Sequence, residues 1–290
     1  MPPLVSVCIP AYNQERFIAA TLEAVLGQTW PDLECLLVDD CSTDRTCEIA
    51  AGFNDPRLRV RRNEHNLGLT ANWNAAVAQA RGAYVKVVCG DDILYPDCLA
   101  RQVALLENPA NAGAVMTCST RAVISPDGRR LTARGYPVRP GAWAGASEAG
   151  QGTDIGVRVP GREALRRCVR AGTNLIGEPA AVLMRAWALR ALGGFDGAIP
   201  YLIDLDMWAR LLRQGDLLVG REVLCGFRIS RGALSSALAW RQAREFRAFI
   251  RHCRAEHDYE FRGFHRVQGA IMAEVNMLLR NLFYLLFLRG

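Results

Sequence analysis

Val5-Ser6-Val7-Cys8-Ile9-Pro10-Ala11-Tyr12-Asn13 is the stretch from which the fold is read. Val5 to Ile9 is a short apolar run with β-branched residues, the pattern of a strand. Arg16 to Leu26 follows with apolar residues at helical spacing, and Glu34 to Val38 is strand-like again. The spacing then predicts a helix from a Ser42 or Thr43 cap to about Ala51, a strand at Leu58–Val60 and a helix at Thr70–Ala80. A strand at Ala83–Cys89, a helix from an Asp97 cap to about Leu106 and a strand at Ala114–Cys118 complete the series. Alternation of this kind makes βαβ units and a largely parallel sheet.

Past residue 120 the pattern changes. Arg121–Leu131 reads as a hairpin around Pro126-Asp127-Gly128. Residues 135–160, rich in Gly, Pro and Ala, read as a long loop, a feature that usually serves function. A helix near 162–170, a strand at Ala181–Met184, a helix at Asp204–Arg213 and a strand at Val223–Ile229 follow. Two helical patterns, 236–260 and 266–288, close the chain. In the first, Arg241, Arg244, Arg247, Arg251 and Arg254 recur beside an apolar stripe of Ala243, Phe246, Ile250 and Cys253. That pattern suits a membrane surface or a second subunit, and equally a helix that closes the core. Leu282–Leu288 is apolar throughout, but Glu274, Asn276, Arg280 and Asn281 interrupt any longer stretch and argue against a membrane span.

A chain of 290 residues, 50% hydrophobic and 22% charged, can bury a large core and is not a disordered polypeptide. Its net charge of +6 is carried by arginine, with Lys86 the single lysine among 35 basic residues. Base composition of the gene explains that bias simply; guanidinium forks also suit phosphate oxygens. The charge fits an anionic substrate or a membrane surface, and falls short of a nucleic-acid binder. Ten cysteines without a CxxC pair, and a first strand with no charged leader before it, point to a cytoplasmic protein with reduced thiols. Cys253 and His257 make half of a metal site with no second half, so packing is the simpler reading.

In open α/β sheets, ligands sit beyond the carboxyl ends of the strands. There the sequence places Pro10-Ala11-Tyr12-Asn13, then Asp39-Asp40-Cys41-Ser42-Thr43-Asp44, then Gly90-Asp91-Asp92. Carboxylates gathered at neighbouring strand ends repel unless a cation or hydrogen-bond donors intervene. A divalent metal with a nucleotide diphosphate resolves that conflict. Each piece has an ordinary alternative: Ser42–Asp44 as a helix cap, Asp91-Asp92 as a turn, Asp39 bonded to loop backbone, Tyr12 packed at a strand end.

Together, VSVCIPAYNQERFI from Val5, LLVDDCSTD from Leu36 and NLGLTANWNAAVAQARGAYVKVVCGDD from Asn66 resemble the family-2 inverting glycosyltransferases over about residues 4–230. The resemblance implies an A-type glycosyltransferase fold: an α/β architecture with a Rossmann-like, mostly parallel central sheet flanked by helices, here with a C-terminal helical extension. It implies that Pro10, Ala11, Tyr12 and Asp39 hold the base of a nucleotide-sugar donor, with Glu15 on a further motif position. Asp91 would touch the ribose, and Asp92 would bind Mg2+ or Mn2+. The family's Asp-x-Asp begins here with Cys89, one carboxylate short. Trp73 replaces a residue that is often basic and is a candidate for the base pocket. Gly193-Gly194-Phe195-Asp196 before Ile203-Asp204-Leu205-Asp206 matches the segment that carries the catalytic base, which maps to Asp204; its ordinary role would be a helix cap. Where the family often has a histidine after Arg228, this chain has Ser230.

The expected architecture is a transferase domain over 1–232, with a nucleotide half to about 110 and an acceptor half beyond it, and a helical extension over 233–290. The expected function is metal-dependent inverting transfer from a UDP- or dTDP-sugar to a saccharide or lipid-linked saccharide in envelope or exopolysaccharide assembly. The site would be cytoplasmic or peripheral on the inner membrane face, with membrane or homodimer contact through the C-terminal helices. A non-catalytic scaffold of the same fold is one rival, favoured by Cys89 and Ser230. A sugar-phosphate nucleotidyltransferase is another; it would need a Gly-rich basic loop where Ala11-Tyr12-Asn13-Gln14 stands.

Overall fold

The computed structural model describes residues 3–132, 142–143, 147–149, 156–230, 238–256 and 259–287. Strand β1 (Val5–Ala11) lies between β2 (Leu33–Asp39) and β4 (Tyr84–Val87), parallel to both, and β3 (Leu58–Arg62) extends the parallel run past β2. Every residue of β1, β2 and β4 is buried, which is why these strands read as continuous apolar runs. Helices α1 (Ile18–Leu26), α2 (Thr46–Ala51) and α3 (Leu69–Val77) connect them. Successive strand residues feed two cores. Val5, Val7, Ile9 and Leu37 join Leu22 and Leu99 in one; Cys8, Leu36 and Val38 join Trp73, Met184 and Trp208 in the other.

Beyond β4 the sheet becomes mixed. Short β5 (Ile93–Leu94) and α4 (Cys98–Glu107) lead into β6 (Ala114–Ile124). Then come β7 (Ser147–Ala149), β8 (Gly156–Val159), α5 (Gly161–Ala171), β9 (Val182–Arg185), α6 (Ala186–Ala191), α7 (Ile203–Leu211) and β10 (Asp216–Arg228). The strand order is β3-β2-β1-β4-β9-β6-β10-β8-β7, with β5 beside β10. β9 runs antiparallel to β4 and β6, β6 and β10 are parallel, and β8 and β7 form an antiparallel edge. The architecture is the expected α/β sheet flanked by helices, with its longest parallel run in β3-β2-β1-β4. On β4, Lys86 is fully buried; its Nζ donates to Gln102 Oε1 at 2.8 Å and to the Val182 carbonyl at 3.1 Å.

Several local expectations change. α2 begins at Thr46, not after Ser42 or Thr43, because both of those residues bond to neighbouring loops. Asp97 stands at the N-cap of α4, yet its Oδ1 accepts the Thr29 hydroxyl instead of a helix amide. The hairpin after β6 forms, with Leu131 N–H donating to Val123 O. The expected loop at 135–160 contains strands β7 and β8, with β8 pairing to β10; much of the rest of it lies outside the described residues.

The last two helices are α8 (Gln242–Glu256) and α9 (Gly263–Phe287). The apolar stripe of α8 is not a surface: Ala243, Phe246, Ile250 and Cys253 are all buried in the same core as Trp208. Of the two readings of this stripe, closure of the core is the one its burial supports. His257 lies outside the described residues. α9 packs on α5 at two glycines. A Cβ on Gly269 would come 2.2 Å from Val169 O, and one on Gly172, where φ is +66°, 2.3 Å from Ala273 N.

Candidate active site

The loop after β1 and the loop after β2 lock together. Asn13 and Cys41 both adopt left-handed backbone, with φ of 52° and 59°. Asn13 N–H donates to Ser42 Oγ, and its Oδ1 accepts from Thr43 N–H, each at 2.9 Å. Glu15 N–H donates to Asp44 Oδ2 at 3.0 Å, while Glu15 Oε2 accepts from Arg45 N–H at 3.1 Å. Glu15 thus braces one loop against the other. Tyr12, at the tip, is 46% exposed and offers its ring to solvent.

Asp39 ends β2 opposite Ala11 and is fully buried. Its carboxylate accepts from Ser42 N–H at 3.0 Å and from Ser42 Oγ–H, and lies 3.5 Å from Arg62 Nε. Its neighbour Asp40 holds another loop, accepting from Leu67 and Gly68 N–H at 2.8 and 2.9 Å. Trp73 does not line this pocket. It is 7% exposed and meets Phe195 edge-on at 5.1 Å, because one face of α3 packs against the acceptor half.

The third loop, Cys89-Gly90-Asp91-Asp92, abuts the first: a Cβ on Gly90 would touch Gln14 Cγ at 3.0 Å. Ligand atoms of Cys89, Asp91 and Asp92 all lie within 4.8 Å of one another. Asp92 is sealed, its Oδ1 accepting Arg228 N–H at 3.0 Å, whereas Asp91 is partly exposed. Burial lifts the Asp91 carboxyl to about 6. Burial, then the Asp91 charge, pushes Asp92 well up. Arg228 grips backbone: its Nε donates to Asp91 O at 2.7 Å and its Nη1 to Pro126 O at 2.8 Å.

Asp204 occupies the first turn of α7, not its cap, which is Leu202. Asn174 Nδ2 donates to Asp204 Oδ2 at 2.9 Å and to Gly177 O at 3.0 Å. Burial and then the nearby Glu178 charge raise Asp204 to about 7. Glu178, ion-paired with Arg121, also acts on Asp92 and Cys89, so the two halves converge electrostatically. Asp206 is buried against Arg210 (3.0 Å) and His252 (3.5 Å) as a helix-to-helix link. The sequence motifs do not point to Asn174, and from sequence Glu178 is only, with Asp206, the base to turn to should Asp204 be a helix cap. The available signal was Asn174-Leu175-Ile176-Gly177-Glu178-Pro179, where Gly177 adopts φ +119° and only glycine fits readily.

Loops of this kind, at the carboxyl ends of a Rossmann-like sheet with carboxylates that act on one another across it, belong to the A-type sugar transferases. The chain belongs to glycosyltransferase family 2, whose profile matches residues 6–160. It is 31% identical to the putative glycosyltransferase EpsE of Bacillus subtilis, over 73% of this chain and 68% of that one. It is 36% identical to the succinoglycan biosynthesis protein ExoO of Rhizobium meliloti over 44% of this chain and 36% of that one. It spans 62% of the length of an uncharacterized Mycobacterium tuberculosis protein that is 34% identical over 72% of this chain. The fold is shared with S. aureus TarS in complex with UDP-GlcNAc (TM-score 0.67, 19% identity, all of this chain and 74% of that one). It is shared too with mannosyltransferase PcManGT from Pyrobaculum calidifontis in complex with GDP-Man and Mn2+ (TM-score 0.61, 19% identity, 99% and 73%).

Proposed function

We propose that the protein moves a sugar, with inversion, from a UDP- or dTDP-sugar to a hydroxyl of a saccharide or lipid-linked saccharide, in metal-dependent envelope or exopolysaccharide assembly on the cytoplasmic side. The observation that carries this reading is the electrostatic convergence of Asp91-Asp92, Glu178 and Asp204, from separate segments, on the Cys89 thiol. Two desolvated carboxylates beside a thiol that burial keeps protonated fit a hard divalent cation, Mg2+ or Mn2+. Bound there, the cation would offset charge building on the leaving diphosphate.

The burial of Asp92 favours a division of labour opposite to the sequence expectation. The partly exposed Asp91 is the proposed metal ligand, and Asp92 anchors the loop to β10 through Arg228 N–H. Tyr12 stacks on the base. Asp39 accepts the imide N–H of uracil or thymine once that donor displaces the Ser42 hydroxyl. Pro10 and Ala11 shape the pocket wall, and Glu15 holds its two loops together. Asn174 orients the Asp204 carboxylate, which takes the proton as the acceptor oxygen bonds to the anomeric carbon and the diphosphate oxygen leaves.

A thermal-shift panel of UDP, dTDP and GDP with and without Mn2+ tests the reading, since a ligand that binds only folded protein raises its melting temperature. UDP or dTDP with Mn2+ should stabilise wild type. Asp91→Asn should lose the metal-dependent part, and Asp92→Asn should instead melt lower without ligand. Metal-dependent stabilisation that survives Asp91→Asn and vanishes in Asp92→Asn returns the metal to Asp92.

A further inference from the structure

α9 is docked by one face only. Gly269, Ala273, Asn276, Asn281 and Tyr284 are buried against the body. On the opposite side Phe264, Val267, Ile271, Val275, Leu278, Leu282 and Leu285 recur at three- and four-residue steps, each 39–62% exposed. From Phe264 to Phe287 the charged residues are Arg266, Glu274 and Arg280, all at the flanks of this stripe, with the half-exposed Glu274 paired to Arg247. The helix is long and apolar enough to cross a membrane by length and composition, with 22% of its most apolar window buried. Its other face is nevertheless held to the protein by Asn276, which donates to Ala171 O at 2.8 Å, and by Arg280, which donates to Tyr201 Oη at 2.6 Å. A helix so held lies along a surface.

At its N-terminal end a cavity of about 680 Å³ opens, lined by Arg166, Arg170, Arg254 and Arg262 with His265, against Glu163 and Glu260. Glu163 is already spoken for by Arg166 (2.7 Å) and Arg167 (2.9 Å). His265 Nδ1 and, one residue on, Arg266 Nε are buried without a hydrogen-bond partner. The cavity adjoins the stripe: the His265 ring lies 4.6 Å from that of Phe264. Arg244 and Arg251 on the neighbouring α8 are exposed as well. One occupant answers both features, because a phospholipid brings an anion to the arginines and acyl chains to the apolar face.

We propose that α9 and the Arg166–Arg170–Arg254–Arg262 cavity form an in-plane docking surface for an anionic phospholipid bilayer, with a lipid phosphate in the cavity. The inference is independent of the transfer reaction. Full-length protein should float with vesicles of phosphatidylcholine plus phosphatidylglycerol and not with phosphatidylcholine alone, and the binding should fall as salt rises. Arg170→Glu with Arg262→Glu should weaken partitioning by about tenfold or more, given roughly 1 kcal/mol per basic residue near an anionic surface. Ile271→Asn with Leu278→Asn should abolish it while leaving the melting temperature near wild type, since both side chains face solvent. In wild type, anionic vesicles should slow amide exchange along α9. Failure to float, equal flotation with neutral vesicles, or a solution dimer that Ile271→Asn with Leu278→Asn dissolves would overturn the proposal, the last in favour of a second copy on this face.

Discussion

At the residue scale the candidate base has its tuning written into its neighbours. Asp204 must be ionised to take a proton, and its carboxyl stands near 7, so turnover should fall as pH drops below about 7 and level off above it. Asn174 stabilises the charged form, so Asn174→Ala should move that acid limb to higher pH. Glu178 disfavours the charged form, so Glu178→Gln should move it to lower pH. Opposite displacements in pH–rate profiles check both; a common shift would show that neither residue acts on Asp204. Asp204→Asn should cost on the order of 10²–10⁴ in turnover with nucleotide affinity nearly unchanged. Asp206, committed to Arg210 and His252, should instead show a stability loss in urea unfolding when changed to Asn. The carboxylates were legible in the sequence because strand ends announce themselves. Their unequal exposure was not, since it depends on Arg228, 136 residues downstream of Asp92.

At the scale of elements, legibility followed burial. β1, β2 and β4 were readable because strands buried on both faces leave unbroken apolar runs. β8 was hidden because Gly156-Val157-Arg158-Val159 is a short strand held between β10 and β7, inside a glycine-rich stretch. α8 and α9 show the same limit from the other side. Periodicity found an apolar stripe on α8, but only packing shows that the core covers it and leaves α9 bare. The seam that seats α9 rests on contacts too close for a side chain. Gly269→Ala should therefore cost on the order of 1–3 kcal/mol by overpacking against Val169, read as a lower denaturation midpoint. Nucleotide-dependent stabilisation should persist in that variant, because the seam lies away from the strand ends; its loss would mean that α9 and the donor site unfold together.

For the whole molecule, both cores draw residues from both halves, although α5, α6 and α7 feed only one of them, to which α8 adds Phe246 and Phe249. The two halves expected from the sequence share their packing. The composition then acquires a practical use. Lys86 is the chain's only lysine, and it is shut inside the sheet with Gln102 and Val182 as partners. An amine-directed reagent meets no lysine on the surface of the folded protein. A fluorophore ester applied at neutral pH should couple once, at the α-amino group, and a second time only when the core opens, which intact mass in rising denaturant would count. The molecule thus carries a built-in clock for its own unfolding, and a single-dye handle for watching individual copies land on supported lipid.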